Sequence, residues 1–181
     1  MSLTLNKQII FPVEIYSIIL EKNICDQVIQ IVEKEKDSWN KNLLNVKAKT
    51  SGWDGLRFAE IRQIADFCCT KILPKIHSES DWKCEEAWIN YYNKGDFANI
   101  HNHAAKSYSA IFIAKSESSS LVFKNIANIY GYGNYKTPHK DEKINEQDGL
   151  LILFPSWVLH EVEECTGERI TVALNFYNET Y

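Results

Sequence analysis

Missing from the start of the chain are a basic leader and a small-residue cleavage site. In MSLTLNKQIIFPVEIYSIILE, Pro12, Glu14 and Glu21 break the apolar character well short of a bilayer-spanning length. The segment is expected to fold and not to act as an address. CxxC pairs are missing too: the five cysteines, at 25, 68, 69, 84 and 165, are odd in number and widely spaced. That argues against a disulfide framework and for a reducing, cytoplasmic setting. Cys68 and Cys69 fall in a helical pattern and read as packing. Positive charge is not in excess either. A net charge of -4 and a pI near 5.8 give no global attraction to nucleic acid or to an anionic membrane. There are no internal repeats, and KSESSS (115–120) alone is loop-like in composition.

What is present is enough apolar material, 45% of 181 residues, to build one domain with its own core. From Ile24, apolar positions 28, 31 and 32 recur at helical spacing after Asn23 in a capping position, which predicts a helix near 24–38. A second helical pattern runs from Leu56 through Ile61, Ile64, Ala65, Cys68 and Ile72 to Ile76, with Pro74 near its end. After about residue 84 the character changes. CEEAWINYYN, SYSAIFIA, SLVFKNI, GLLILF, WVLHEVEE and RITVALNFYN are short, β-branched or aromatic, and separated by Gly, Pro, Asn and Ser. Helices first and strands afterwards predict an α+β chain, mainly β, whose C-terminal part closes into a sandwich or barrel. The stretch 124–148 is poorly patterned and reads as a long loop.

The chemistry begins at NIHNH. Successive side chains on a strand point to opposite faces, so His101 and His103 share one face and Asn102 takes the other. His160 lies near the end of a later predicted strand, CTGE supplies a turn, and Arg169 opens the next strand, so the two can face each other across a hairpin. On that strand Arg169, Thr171, Ala173 and Asn175 alternate with Ile170, Val172, Leu174 and Phe176. The two amphipathic helices need an apolar sheet face, so the Ile-Val-Leu-Phe face is expected beneath them, and Arg169 and Thr171 are expected to face a cavity. Three imidazoles suit Fe, Zn or Cu, and a guanidinium can grip a carboxylate in two charge-assisted bonds. No protein carboxylate on that face of the strand is evident as a partner for Arg169.

Those segments together, WINYYNKGDFANIHNH, SYSAIFIA and GLLILFPSWVLHEVEECTGERITVALNF, resemble the 2-oxoglutarate and Fe(II)-dependent oxygenase superfamily over roughly residues 84–178. The likeness is greatest to the branch with a histidine pair and a Phe-Pro-Ser-Trp segment before the distal histidine. The resemblance implies a double-stranded β-helix, or jelly roll, with N-terminal helices on one sheet. It divides a single domain, 1–181, into a helical part (about 14–80) and a jelly-roll core (about 84–178). It implies metal binding by His101, His103 and His160, and 2-oxoglutarate binding by Arg169 with Thr171 and with Tyr91 or Tyr92. Fe(II), 2-oxoglutarate and O2 would serve to hydroxylate a small-molecule or protein substrate, with no nucleic acid or membrane partner; a homodimer is compatible with the reading.

At position 103 the chain departs from the superfamily's usual carboxylate. Three neutral imidazoles leave a divalent metal with about two net positive charges in place of one, which strengthens zinc as a competitor to iron. One alternative puts His103 behind the metal, with Asp96 or Glu161 reaching it. Two others concern the whole protein: a three-histidine cupin-like dioxygenase that uses no 2-oxoglutarate, or a non-catalytic metal-binding jelly roll. His77 and His139 read as solvated, Trp88 and Trp157 as packing, and Glu161, Glu163 and Glu164 as a wet edge.

Overall fold

A computed structural model describes residues 5–10, 13–43, 45–77, 81–103, 105–117, 119–125 and 140–178. In chain order they form β1 (Asn6–Ile10), β2 (Val13–Ile19), α1 (Lys22–Glu35), β3 (Asn40–Leu43), β4 (Val46–Thr50), a 3-10 turn (Gly55–Arg57) and α2 (Ala59–Phe67). A π-helical turn (Cys68–Ile72), α3 (Leu73–Ile76), β5 (Trp82–Tyr92), β6 (Phe97–His101), β7 (Tyr108–Ser116) and β8 (Leu121–Phe123) follow. The chain ends with β9 (Glu142–Lys143), β10 (Leu150–Pro155), β11 (His160–Val162) and β12 (Arg169–Asn178).

All strand pairs are antiparallel, in the order β1-β2-β10-β7-β12-β5-β4-β6-β11-β8-β9, with β3 on β4. The sheet curls on itself at β4, which pairs with both β5 and β6. Residues of β5, β7 and β12 therefore line the same cavity as residues of β6 and β11. This is the jelly-roll arrangement.

The helices lie on the outer face of the larger half. Ile170, Val172, Leu174 and Phe176 are fully buried in one cluster with Val28, Ile31 and Val32 of α1, Ile61 and Ile64 of α2, and Cys68, Ile72 and Leu73. Burying such a side chain contributes about 1.5–3 kcal/mol, so this contact is what secures the helical layer. The alternate residues of β12 face inward, as period two requires. α1 begins slightly earlier than the sequence suggests, after Glu21, so Asn23 lies within its first turn and does not cap it. Pro74 has no N–H for a continuing α-helical ladder, and the chain takes a π-helical turn before it and restarts as α3.

The expectation of a helical stretch over about 14–80 is corrected: β2, β3 and β4 lie inside it. β2 escaped notice because both of its faces are buried. Tyr16 and Ile18 pack with the helices, while Val13 and Ile15 pack in the inner cluster with Ile113, Leu121, Phe123, Ile152 and Phe154. A strand apolar on both faces shows no polar alternation.

Candidate metal centre

β6 ends at His101, and β11 begins at His160; the two are direct cross-strand partners. His103 follows β6 and is held there by its backbone N–H, which donates to the Ser156 carbonyl at 2.9 Å. The three rings converge, with centroids 4.4 Å apart for His101 and His160 and 5.1 Å for His103 and His160. Each offers one ligand nitrogen, and those atoms all lie within 4.8 Å of one another. A metal at about 2.0–2.2 Å from each would draw them slightly together.

The tautomers follow from the partners. The Nδ1–H of His101 donates to the Asn99 carbonyl (2.6 Å) and that of His160 to the Val158 carbonyl (2.9 Å). Carbonyls only accept, so these Nδ1 atoms carry the proton. His103 Nδ1 donates to Asn175 Oδ1 at 2.6 Å. The Asn175 amide is itself oriented, because its Nδ2 donates to the Glu86 carboxylate at 3.0 Å, while Ser109 Oγ donates to its Oδ1 at 2.9 Å. In all three rings Nε2 is left with a lone pair for a common point, the arrangement in which an outer partner fixes ring and tautomer for a metal. Burial keeps the rings neutral: His103 is pushed down to about 4, His101 is lowered, and His160 lies well below the ordinary value with the other two rings adding to the effect. Phe154 packs edge-on at 4.9 Å against His160 and supplies part of that desolvation. The donor set fits a borderline divalent metal such as Fe(II) or zinc.

Behind the triad lies a narrow chamber of about 30 Å³, lined among others by His101, His103, His160, Tyr92, Arg169 and Thr171. It shares Val46, Trp88, Asn90, His101 and His103 with an outer cleft of about 440 Å³, whose walls also include Trp53, Glu86, Lys106 and Asn175. The structure thus brings Arg169, Thr171 and Tyr92 to the same chamber as the histidines. Tyr91 is corrected: one residue along β5, it points to the opposite face, packs against the helical layer and lies under the Lys36 ammonium at 5.0 Å.

Arg169 is 1% exposed and is not without a protein partner. Glu146, from the segment before β10, takes its Nε at 3.0 and 3.2 Å and its Nη2 at 2.7 Å. Burial alone would raise the Glu146 carboxyl, but the Arg169 charge and hydrogen bonds from Arg169, Ser116 and Leu121 outweigh it and hold the group below the ordinary carboxylate value. This corrects the expectation that Arg169 lacks an internal counter-ion. The pair leaves Nη1 outside its grip, and the guanidinium carbon stands 5.1 Å from the Tyr92 ring centroid. The donor chemistry therefore still fits a carboxylate in the chamber, through Nη1 and the hydroxyls of Thr171 and Tyr92. As it stands, the chamber has room for one or two waters, so a five-carbon dicarboxylate requires its side chains to shift, a common change on binding.

The carboxylates weighed as stand-ins for His103 are engaged elsewhere. Asp96 accepts from the Asn93 N–H at 2.9 Å, and Glu161, half-buried, pairs with Lys124 at 3.2 Å. His77 is not simply solvated: its Nε2 meets the Tyr108 hydroxyl at 2.9 Å, beside Trp82. His139 lies outside the described residues. Trp88 stands against Trp53 and lines both cavities, and Trp157, read as packing, is 52% exposed. Glu146, Ser109, Glu86 and Trp53 were not singled out from the sequence, and none sits in a spacing that would have marked it.

The class is now defined: a jelly-roll protein with an inward histidine triad. Residues 86–175 match the sequence model of the family described as "Putative 2OG-Fe(II) oxygenase", and the chain belongs to that family of Fe(II)- and 2-oxoglutarate-dependent enzymes. Among curated proteins no sequence matches. Among solved structures the chain is similar to a Pseudomonas putida prolyl-4-hydroxylase (TM-score 0.66, 14% identity, covering 97% of this chain and 92% of that one). It is also similar to a Trichoplax adhaerens prolyl hydroxylase in complex with a hypoxia inducible factor oxygen degradation domain peptide fragment (TM-score 0.65, 15% identity, 91% and 84% covered). A third is HygX from Streptomyces hygroscopicus with nickel and 2-oxoglutarate bound (TM-score 0.66, 9% identity, 92% and 84% covered). At these identities the likeness speaks for the fold.

Proposed function

We propose that His101, His103 and His160 hold Fe(II) through their Nε2 atoms and that the protein hydroxylates a substrate entering by the outer cleft. The observation that carries this reading is the shared chamber, lined by three histidines whose Nε2 atoms are proton-free and also by Arg169, Thr171 and Tyr92. When bound, iron and 2-oxoglutarate supply the oxidising chemistry, in which O2 is reduced as the 2-oxo acid loses CO2 to give succinate. The chain's own part is to orient and to exclude water. Asn99, Asn175 and Val158 hold the three rings in one tautomer. Arg169, Thr171 and Tyr92 take the far carboxylate, and the apolar backing of Phe154, Phe123 and Ile111 keeps the chamber dry. The outer cleft, with Trp53 and Trp88 beside Asn45 and Asn90, suits a small molecule or an extended peptide side chain. The five free cysteines fit a reducing compartment such as the cytoplasm.

Protein purified without chelator should carry one metal per chain. Reconstituted with Fe(II), it should release succinate from 2-oxoglutarate in the presence of O2. Stoichiometric zinc with no succinate would favour the three-histidine or non-catalytic alternative, to which the absence of a carboxylate ligand among the three histidines lends weight.

A further inference from the structure

Glu146 makes more contacts than a counter-ion needs. Besides Arg169 it accepts from Ser116 Oγ at 2.7 Å, from the Leu121 N–H at 2.9 Å and from Ser119 Oγ at 3.4 Å. Both carboxylate oxygens are thereby fixed, and the carboxylate in turn fixes the guanidinium. It holds the Nε–Nη2 edge, while the guanidinium carbon stands over the Tyr92 ring, 5.1 Å from its centroid. A guanidinium has a second edge. With the inner one taken, rotation about the last side-chain bonds is restrained, and Nη1 is left outside the Glu146 grip on a side chain that lines the chamber the histidines share.

We propose that Glu146 is a positioning residue for the 2-oxo acid. By clamping the inner edge of Arg169 it presents the outer edge at the depth of a second carboxylate, so that preference for a dicarboxylate over a monocarboxylate depends on it. This rests on the role assigned above to Arg169. The same clamp makes the resting chamber electrically balanced, which removes the cost of an unpaired buried arginine before any ligand arrives. A lysine at 169 could satisfy Glu146 but would have no second edge to offer.

The test is anaerobic calorimetry on the Fe(II)-loaded protein, with 2-oxoglutarate and with 2-oxobutyrate, which shares the 2-oxo acid head but has no far carboxylate. Wild type should prefer 2-oxoglutarate by about thirtyfold or more, the loss expected when one side of a charge-assisted pair is missing. In Glu146→Gln the preference should shrink to about threefold, with metal content and 2-oxobutyrate affinity retained, and Glu146→Asp should restore part of it. A Glu146→Gln protein as selective as wild type would reduce Glu146 to a loop brace. Tighter 2-oxoglutarate binding in that variant would make Glu146 a competitor, and either result overturns the proposal. A wild type with no preference would instead reject the role of Arg169, and this inference with it. If Glu146→Gln does not fold, Arg169→Lys decides: it should lose the preference, and a selective Lys variant would overturn the clamp.

Discussion

At the scale of single residues, the triad's behaviour follows from neutral rings in a dry setting. A histidine whose folded value is depressed binds its proton more readily in the unfolded chain. Its contribution to stability is therefore full above the ordinary value, near 6.5, and is lost as pH falls through the folded value. With His103 at about 4 and His101 and His160 also lowered, the metal-free protein should lose stability steadily between about pH 6.5 and pH 4, as urea midpoints across that range would reveal. A midpoint that does not move there would mean the rings are already charged. Near neutral pH, a divalent metal at a hundred times its dissociation constant should raise stability by about 2.7 kcal/mol. His160→Ala should abolish that rise and keep the fold, because the core does not depend on the metal. Asn175→Ala removes the acceptor that orients His103, and metal affinity measured against a competing chelator should fall about 10- to 100-fold.

At the scale of elements, backing and register decide what can change. Gly55, in the 3-10 turn, sits so close to β5 that an added Cβ would lie 2.5 Å from the Ala87 carbonyl oxygen. Backbone cannot yield as a flexible side chain can. Gly55→Ala should cost about 1–3 kcal/mol in denaturant unfolding and should also disturb the neighbouring Trp88 in the cleft, visible as altered tryptophan emission. Ile64, 1% exposed among the helix residues over β12, should cost about 2–5 kcal/mol when cut to alanine while metal binding is unchanged. The elements legible in the sequence were the two helical patterns, α1 and the α2 region, and the short β-branched or aromatic runs that hold β5, β7, β8, β10, β11 and β12. β2 was hidden by burial on both faces, and β4 and β6 by their shortness and by lysine and asparagine on their outer sides. His101, His160 and Arg169 were legible because a strand turns spacing into direction, whereas His103 lies just beyond the end of β6 and is held by its N–H bond to the Ser156 carbonyl. Glu146 was not legible, since it lies in a stretch without periodicity and meets Arg169 only once the sheet has curled. The carbonyls of Asn99 and Val158 that set two tautomers are backbone groups, and no residue type advertises them.

At the scale of the whole molecule, the Arg169–Glu146 pair ties the segment before β10 to the start of β12, both partners at 1% exposure. Arg169→Leu should cost about 3–5 kcal/mol, because it strands a buried carboxylate. Joining it to Glu146→Leu should recover most of that loss in urea unfolding, short of full recovery because the Leu121 N–H loses its acceptor. A double variant no more stable than Arg169→Leu would mean that the cost lies in packing and not in charge. β12 presents Ile170, Val172, Leu174 and Phe176 to the helices, Arg169 and Thr171 to the chamber and Asn175 to the outer cleft, paired on both sides by β5 and β7. Sliding it by one position against those neighbours would thrust an arginine into the greasy layer and strip the site of its anion-binding and histidine-orienting groups in the same stroke. Correct assembly and chemical competence are therefore one event: refolded protein should regain metal affinity and cooperative unfolding together, with no well-packed but inert population between them.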